Sequence, residues 1–384
     1  MPLITVSAEE ALHNLSGFDS VVDARSEDEF AQDHLPGAIN WPTLDNAQRH
    51  EIGSTYKQVN AFEAKKRGAA LAARNIAAHI EREVLDKPKN WQPLVYCWRG
   101  GKRSGSLSLI LSEIGFRVSL IEGGYKAWRA AMLQDIARLA ASYDWRVICG
   151  TTGSGKTRLL LALREAGAQV LDLEGLANHR SSVLGAIPGV PQPSQKQFDT
   201  RIWDALRQFD PKRPVFVESE SKKVGNVAVP EALITAMRAA PCLNLQLADA
   251  ERVALLMEDY DFFVQDGQAF CERLEALSQL RGKQVVDTWK AQVLAGAVEA
   301  VVRELLLTHY DPVYVTSMKR NFAGYAQAGL IAPANRSAAA MLALARELVA
   351  QVDSQVARAA TTSAAATRDG VQNSRHARSS PKTG

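Results

Sequence analysis

The chain has 384 residues, 46% of them hydrophobic and 23% charged, with 45 Lys and Arg against 42 Asp and Glu. That length suits two or three globular domains, and a net charge of +3 is too small to argue by itself for a nucleic-acid partner. Four widely spaced cysteines, Cys97, Cys149, Cys242 and Cys271, show no CxxC or zinc-type spacing, so neither a disulfide scaffold nor a structural metal is indicated and a reducing, cytoplasmic setting is expected. There is no secretory leader pattern and no run of about 18 apolar residues, so neither export nor a membrane span is expected.

Taken in order, Leu3 to Val6 reads as a strand and residues 8–15 as a short helix. VVDAR (21–25) is a buried strand ending in a charged pair, Asp23 and Arg25. Residues 26–30 carry a cap and acids suited to a helix start, and HLPGAIN (34–40) is a turn into another short strand. Residues 61–83 have a long helical pattern rich in Ala, Lys and Arg. Residues 117–121 form a strand closed by Gly123 and Gly124, and residues 125–143 a helix that can link to the next unit. Strands alternating with helical patterns predict an α/β fold with a mostly parallel sheet.

Within that unit, Leu94-Val95-Tyr96 is an apolar strand ending in Cys97. Trp98, Arg99, Gly100, Gly101, Lys102, Arg103 and Ser104 follow, and then an apolar helical segment. The two glycines permit a loop whose amides turn inward, and the helix N-terminus with Arg99, Lys102 and Arg103 favours an anion at its centre. A cysteine so placed should be a thiolate at neutral pH. A buried structural cysteine would not need two glycines and three cations beside it.

These pieces, with GGYKAW (123–128), resemble a rhodanese domain over most of residues 1–135. The resemblance implies a sulfur or selenium carrier role for Cys97, with Asp23 and Arg25 bracing the loop. Sulfurtransferase loops of this fold usually place four residues between the cysteine and the arginine. Here five, Trp98 to Lys102, separate Cys97 from Arg103, as in the related dual-specificity phosphatases. The wider ring points to a tetrahedral, phosphate-like donor.

Residues 136–144 read as a helical linker, and a second unit starts at Trp145. The strand at 146–149 leads into GTTGSGKT (150–157), the GxxxxGK[ST] pattern, with a helix from 157 to 166. Gly150, Gly153, Ser154, Gly155, Lys156 and Thr157 would cradle phosphates, with Lys156 on the terminal one. Thr157 could hold Mg²⁺; no metal site is firmly assigned. The strand at 169–173 ends near Asp172 and Glu174, and the strand at 214–218 resembles a Walker-B strand with Glu218 or Glu220 near a metal or reacting water. His179, Arg180 and Ser182 lie in a polar run that either contacts a substrate or is a solvated connection. Residues 145–248 therefore read as a P-loop NTPase-like α/β domain. Residues 249–357 read as a helical C-terminal extension with helices at 250–259, 269–279, 283–307 and 336–352 and a turn at 310–314. It includes an acidic and aromatic run at 257–263. Residues 358–384, with five Lys and Arg against one acid, read as a disordered tail.

The pairing of both units over nearly the full length resembles the bacterial tRNA 2-selenouridine synthase family. Supporting it are YCWRGGKRSGS (96–106), GTTGSGKT (150–157), LDLEGLANHRSS (171–182), VFVESESKK (215–223) and HYDPVY (309–314). The resemblance implies a transferase acting on tRNA with 2-thiouridine at the wobble position. Geranyl diphosphate would first alkylate the sulfur, and selenium from selenophosphate would then replace it, with Cys97 as the selenium-carrying nucleophile. These are cosubstrates; no tightly bound cofactor is expected, and a selenophosphate-producing enzyme is a candidate partner. Lys65, Lys66, Arg67 and Arg74 on one helix are a candidate tRNA face or a plain solvated face. Two other readings stay open: a phosphatase-like or sulfurtransferase domain fused to a nucleotide-dependent kinase, and a sulfur-relay module with a P-loop switch. The absence of Asp and Glu between Trp98 and Ser106 counts against a phosphatase.

Overall fold

The computed structural model describes residues 3–180, 185–261 and 265–354. Ser182, Phe262 and Phe263, and the predicted tail at 358–384, lie outside the described residues. Among the described residues no helix is long and apolar enough to cross a membrane.

Five parallel strands form the N-terminal sheet: β1 (Ile4–Val6), β2 (Ser20–Asp23), β3 (Ala38–Asn40), β4 (Pro93–Tyr96) and β5 (Ser119–Ile121), in the order β1-β5-β4-β2-β3. All four residues of the central β4 are buried, as a strand covered on both faces requires. The register sets Asp23 beside Tyr96, so β2 and β4 end together one residue before Cys97. The helices are α1 (Ala8–His13), α2 (Glu27–Gln32), α3 (Asn46–Gln58), α4 (Ala61–Glu83), α5 (Lys102–Ile114) and α6 (Gly124–Ser142). Capping boxes at Ser7, Ser26 and Asp45 start three of them. Lys65, Lys66, Arg67 and Arg74 are all exposed on α4, where Glu63 pairs with Lys66 at 2.6 Å.

The second sheet is also wholly parallel. It contains β6 (Trp145–Cys149), β7 (Gln169–Leu171), β8 (Val215–Glu218), β11 (Pro241–Leu245) and β12 (Gly324–Ile331), ordered β12-β11-β6-β8-β7. A two-stranded ribbon, β9 (Lys223–Val224) with β10 (Val227–Ala228), lies outside it. Helices α7 (Lys156–Glu165), α8 (Leu173–Leu176), α9 (Gln195–Leu206), α10 (Glu231–Ala239) and α11 (Asp249–Asp259) accompany these strands.

The C-terminal region departs from the purely helical expectation in three places. β12 is an eight-residue strand on the sheet edge; its Ala- and Gly-rich, half-exposed sequence carries no apolar alternation that would announce it. The expected helix at 283–307 is broken at Gly296, whose φ of +85° ends the first segment at Leu294. Residues 310–314 do not turn. A π-helical turn over Leu305–Tyr310 runs straight into the helix Asp311–Asn321, where Pro312 is tolerated near the helix start. The helix at 338–354 packs Met341, Leu344, Ala345 and Leu348 against the P-loop sheet and α7.

The two sheets are joined through α6 and α9, not by a loose tether. The expected linker is the second half of α6, and its Ile136, Leu139 and Ala140 are buried in a core shared by both halves. Trp203 of α9 meets Trp128 of α6 edge-on at 5.5 Å and donates its indole N–H to Asp135 at 2.9 Å. Asp33, 1% exposed, accepts from the Tyr125 hydroxyl at 2.6 Å and from Thr200 of α9 at 3.0 Å. Arg129 lies 3.7 Å from Asp33 and pairs with Asp199 of α9 at 2.6 Å. Removing one member of a buried charged cluster strands the others. Asp33→Ala is therefore expected to cost about 3 kcal/mol, read as a lowered midpoint in urea denaturation, with the exposed control Asp86→Ala near neutral.

Candidate functional sites at the strand ends

Cys97 follows β4 and faces the N-terminus of α5. Its sulfur, in a residue 3% exposed, accepts from the Gly101 N–H at 3.3 Å and from the Ser104 hydroxyl at 3.0 Å. Both donors stabilise negative charge on sulfur. Arg99 and Lys102 are exposed beside the loop. Arg103 is engaged at the loop's flank. It donates to Glu29 at 2.6 Å, and Arg49 holds the same carboxylate at 2.9 Å. Of the three loop cations, Arg103 has a carboxylate partner and Arg99 and Lys102 are exposed. Burial opposes the charge on Glu29, but Arg103 and Arg49 outweigh it and hold the carboxyl below its usual range.

The glycine pair after β5 forms the rear wall of this loop. Gly124 has φ +60°, and a Cβ there would lie 2.3 Å from the Cys97 carbonyl oxygen and 2.4 Å from the Gly100 nitrogen. The next residue, Tyr125, donates its backbone N–H to that carbonyl at 2.8 Å. Asp23 and Arg25 act one step further back. Arg25, 1% exposed, pairs with Asp23 at 2.6 Å, donates to the Asp33 carbonyl at 2.6 Å and lies 4.1 Å from the centre of the Tyr125 ring. They brace Tyr125 and the end of α2, and through Tyr125 the loop. Trp98 stacks on Tyr125 at 5.4 Å, and Lys196 of α9 sits 5.3 Å over the Trp98 ring. The second half of the chain thus reaches the cysteine loop.

The glycine-rich loop after β6 has the P-loop shape. Gly153 and Gly155 take φ of +75° and +87°, and a Cβ on Gly150 would lie 2.4 Å from Ser154 Oγ. Lys156 reaches back to the Gly150 carbonyl at 2.8 Å. Thr157 donates to Glu174 at 2.9 Å, and the Glu174 N–H donates to Glu218 at 2.8 Å. Asp172 caps α8 through the Gly175 N–H at 2.8 Å. Burial, then the nearby Asp172, Glu174 and Glu220 carboxylates, push Glu218 well up from its usual range, and its Oε2 is buried without a partner. Burial also raises Glu174, opposed by Lys156 and Thr157. Among the described residues no three His, Cys, Asp or Glu converge to cage a metal. Thr157 and Glu174 are nevertheless oxygen ligands of the kind Mg²⁺ accepts when substrate phosphates complete its shell. His179 is buried, with its pKa lowered by burial, and Arg180 donates to the Asp259 carbonyl and lies over the Tyr260 ring at 4.8 Å. Cys149 and Cys242 are buried in adjacent strands, as their apolar context predicts.

Two family models match the chain: a rhodanese-like domain over residues 7–131 and the tRNA 2-selenouridine synthase AAA domain over residues 143–281. Curated relatives carry the same name across most of their length. A tRNA 2-selenouridine synthase of Marinobacter nauticus is 31% identical over 77% of this chain and 87% of its own. Those of Nitrosomonas europaea and Shewanella denitrificans are 34% and 35% identical, over 74% and 77% of this chain and 76% and 87% of theirs. The chain belongs to the tRNA 2-selenouridine synthase family. It is an enzyme with a rhodanese domain followed by a P-loop domain.

Several residues that shape these sites in this family member give no local sign of the loop they serve. Tyr314 lies in the quoted HYDPVY run, yet nothing local assigns it to the P-loop. Its hydroxyl accepts from the Gly150 N–H at 2.8 Å and meets Ser219 at 2.7 Å, while its ring lies 5.3 Å from Lys156. Arg252, 5% exposed, donates to the Thr152 carbonyl at 2.8 Å and is held by Asp311 at 2.6 Å. Glu29 reads only as one of the helix-start acids, and nothing in the sequence around Asp33 singles it out. Long-range placement made each of them part of a site.

Two predictions arise here. Gly124→Ala forces a Cβ into the Cys97 carbonyl in a left-handed conformation, so it is expected to displace the loop and abolish alkylation of Cys97 at its wild-type rate, while the P-loop ligand still raises the melting temperature. Glu218 has its pKa raised on folding, so it opposes stability as pH rises above the unfolded carboxyl value. Glu218→Gln keeps the acceptor for Glu174. It should raise the melting temperature at about pH 8, and this gain should vanish near pH 4, where the unfolded carboxyl is also largely protonated.

Proposed function

We propose that this enzyme converts wobble 2-thiouridine in tRNA to 2-selenouridine in two steps, divided between the two phosphate-binding loops. The observation that carries this reading is the Cys97 sulfur, held by the Gly101 N–H and the Ser104 hydroxyl in a loop one residue wider than a sulfurtransferase loop. A P-loop in the same body supports a second, phosphate-bearing cosubstrate.

In the first step the uridine sulfur attacks C1 of geranyl diphosphate. The C–S bond forms, the C–O bond breaks and diphosphate departs, while the base gives up its N3 proton. Lys156 and the amides of the P-loop stabilise the departing diphosphate, and Mg²⁺, if bound, would be held by Thr157 and Glu174 and would share that charge. In the second step selenium replaces sulfur at C2 and geranylthiolate leaves. Selenophosphate, delivered by the enzyme that makes it, is held by the loop amides with Arg99 and Lys102. Cys97 carries the selenium as a perselenide. Selenium in selenophosphate is at the selenide level, so loading Cys97 with release of phosphate requires a two-electron oxidant such as a cellular disulfide. The thiols that later free the selenouridine from sulfur return those two electrons.

Single-turnover labelling separates the steps. Cys97→Ala is expected to remove selenouridine from tRNA while S-geranylated thiouridine accumulates, as read by mass spectrometry of nucleosides. Lys156→Ala should slow geranylation about 10²-fold and leave selenium labelling of Cys97 intact. Selenouridine formed at the normal rate by Cys97→Ala would overturn the carrier role, because selenophosphate attacking C2 directly needs no cysteine.

A further inference from the structure

The helix Asp311–Asn321 touches the P-loop at one end and opens onto a cationic cleft at the other. Arg252 binds its Asp311, and Tyr314 contacts Gly150. Arg320 lies six residues beyond Tyr314, about 9 Å along the axis. Lys319, Arg320 and Asn321 line a cleft of about 610 Å³ together with Arg238, Asn244 and Tyr325. No acidic residue lines it. Among the described residues no ion pair engages Arg238, Lys319 or Arg320. The Arg238 Nε is buried without a hydrogen-bond partner. Such a donor is costly unless a ligand oxygen meets it. The floor is made of Ala326 and Ala328 on β12, whose small side chains leave room for a backbone to approach.

Location decides the ligand class. Arg238 precedes β11 and Ala323 precedes β12, so this end of the cleft lies at the amino-terminal ends of these strands. The P-loop leaves β6 at its carboxyl end. Five residues of strand separate the two ends by about 16 Å. A small anion held by Arg238 would lie that far from the P-loop, although the cleft extends toward it at Asn244, which pairs in register with Cys149. A polymer with regularly spaced phosphates can occupy both. The exposed face of α4 is less suited, because Glu63 and Glu51 already pair with its Lys66 and Arg67.

Resting on the reading that tRNA is the substrate, we propose that Arg238, Lys319 and Arg320 form a binding site for the phosphodiester backbone of the tRNA, away from the reacting base. The contacts would position the RNA without reading its sequence.

The test uses the full chain, unmodified and as Lys319→Gln/Arg320→Gln, with Arg238→Gln made separately. Lys319 and Arg320 are exposed, so the double variant is expected to fold, checked by its melting temperature. Binding of fluorescent tRNA is followed across a salt series. Two lost phosphate contacts should reduce the slope of log affinity against log salt by roughly 1.4 to 1.8 and weaken binding about tenfold or more at moderate salt. KM for tRNA should rise with kcat unchanged. Arg238→Gln should reduce the slope in the same sense. An unchanged slope and KM in folded variants, with wild-type selenouridine synthesis intact, would reject this site and leave the proposed function standing. Loss of inorganic phosphate binding with tRNA affinity unaltered would also reject it, in favour of a small anion. A wild-type protein that does not bind tRNA would instead remove the functional reading itself.

Discussion

One carboxylate, that of Asp33, ties the two halves of this enzyme to each other and to the cysteine loop. It receives the Tyr125 hydroxyl from the rhodanese side and the Thr200 hydroxyl from α9 of the P-loop side, with Arg129 close by. Its backbone carbonyl receives Arg25, which is paired with Asp23. An isolated buried carboxylate is strongly unfavourable, so each of these partners must be in place when the chain is folded. The requirement couples the docking of the halves to the position of Tyr125, and Tyr125 holds the Cys97 carbonyl.

Both sites use the same physical device at the carboxyl ends of parallel strands. A strand delivers the chain to a glycine-bearing loop, and a helix N-terminus closes it: α5 behind Cys97, α7 behind Lys156. Helix N-termini and inward-turned amides attract anions whatever their chemistry. What differs is the group placed at the centre. In the first loop it is a cysteine sulfur with two hydrogen-bond donors. In the second it is a lysine ammonium with a threonine hydroxyl and buried acids nearby. The same anion-binding frame thus surrounds a different central group in each place.

Most of both loops was legible in the sequence because each is contiguous. Strand, glycines, cations and helix occur within about a dozen residues, and local chemistry alone says what they attract. The parallel α/β architecture was legible for the same reason, since short buried strands alternate with helical patterns. Less legible were the elements whose role depends on distant partners. α9 has an ordinary amphipathic sequence, and nothing in it announces that Lys196 will cover Trp98 or that Thr200 will meet Asp33. β12 joins the sheet because β11 offers an open edge, not because its Ala and Gly residues favour a strand. Arg103 was legible as a cation, but its partner Glu29 is 74 residues away.

The sequence by itself determined the two anion-binding loops, the order of the domains and the residues at each loop's centre, since these follow from backbone freedom and charge over short spans. Only the tertiary structure decided which side chains support them. Tyr314 and Arg252 reach the P-loop, Glu29 pairs with Arg103 at the flank of the cysteine loop, and Asp33 joins the two halves. The physical reason is that burial and long-range hydrogen bonding assign a polar side chain its role, and neither is a property of the residue's neighbours along the chain.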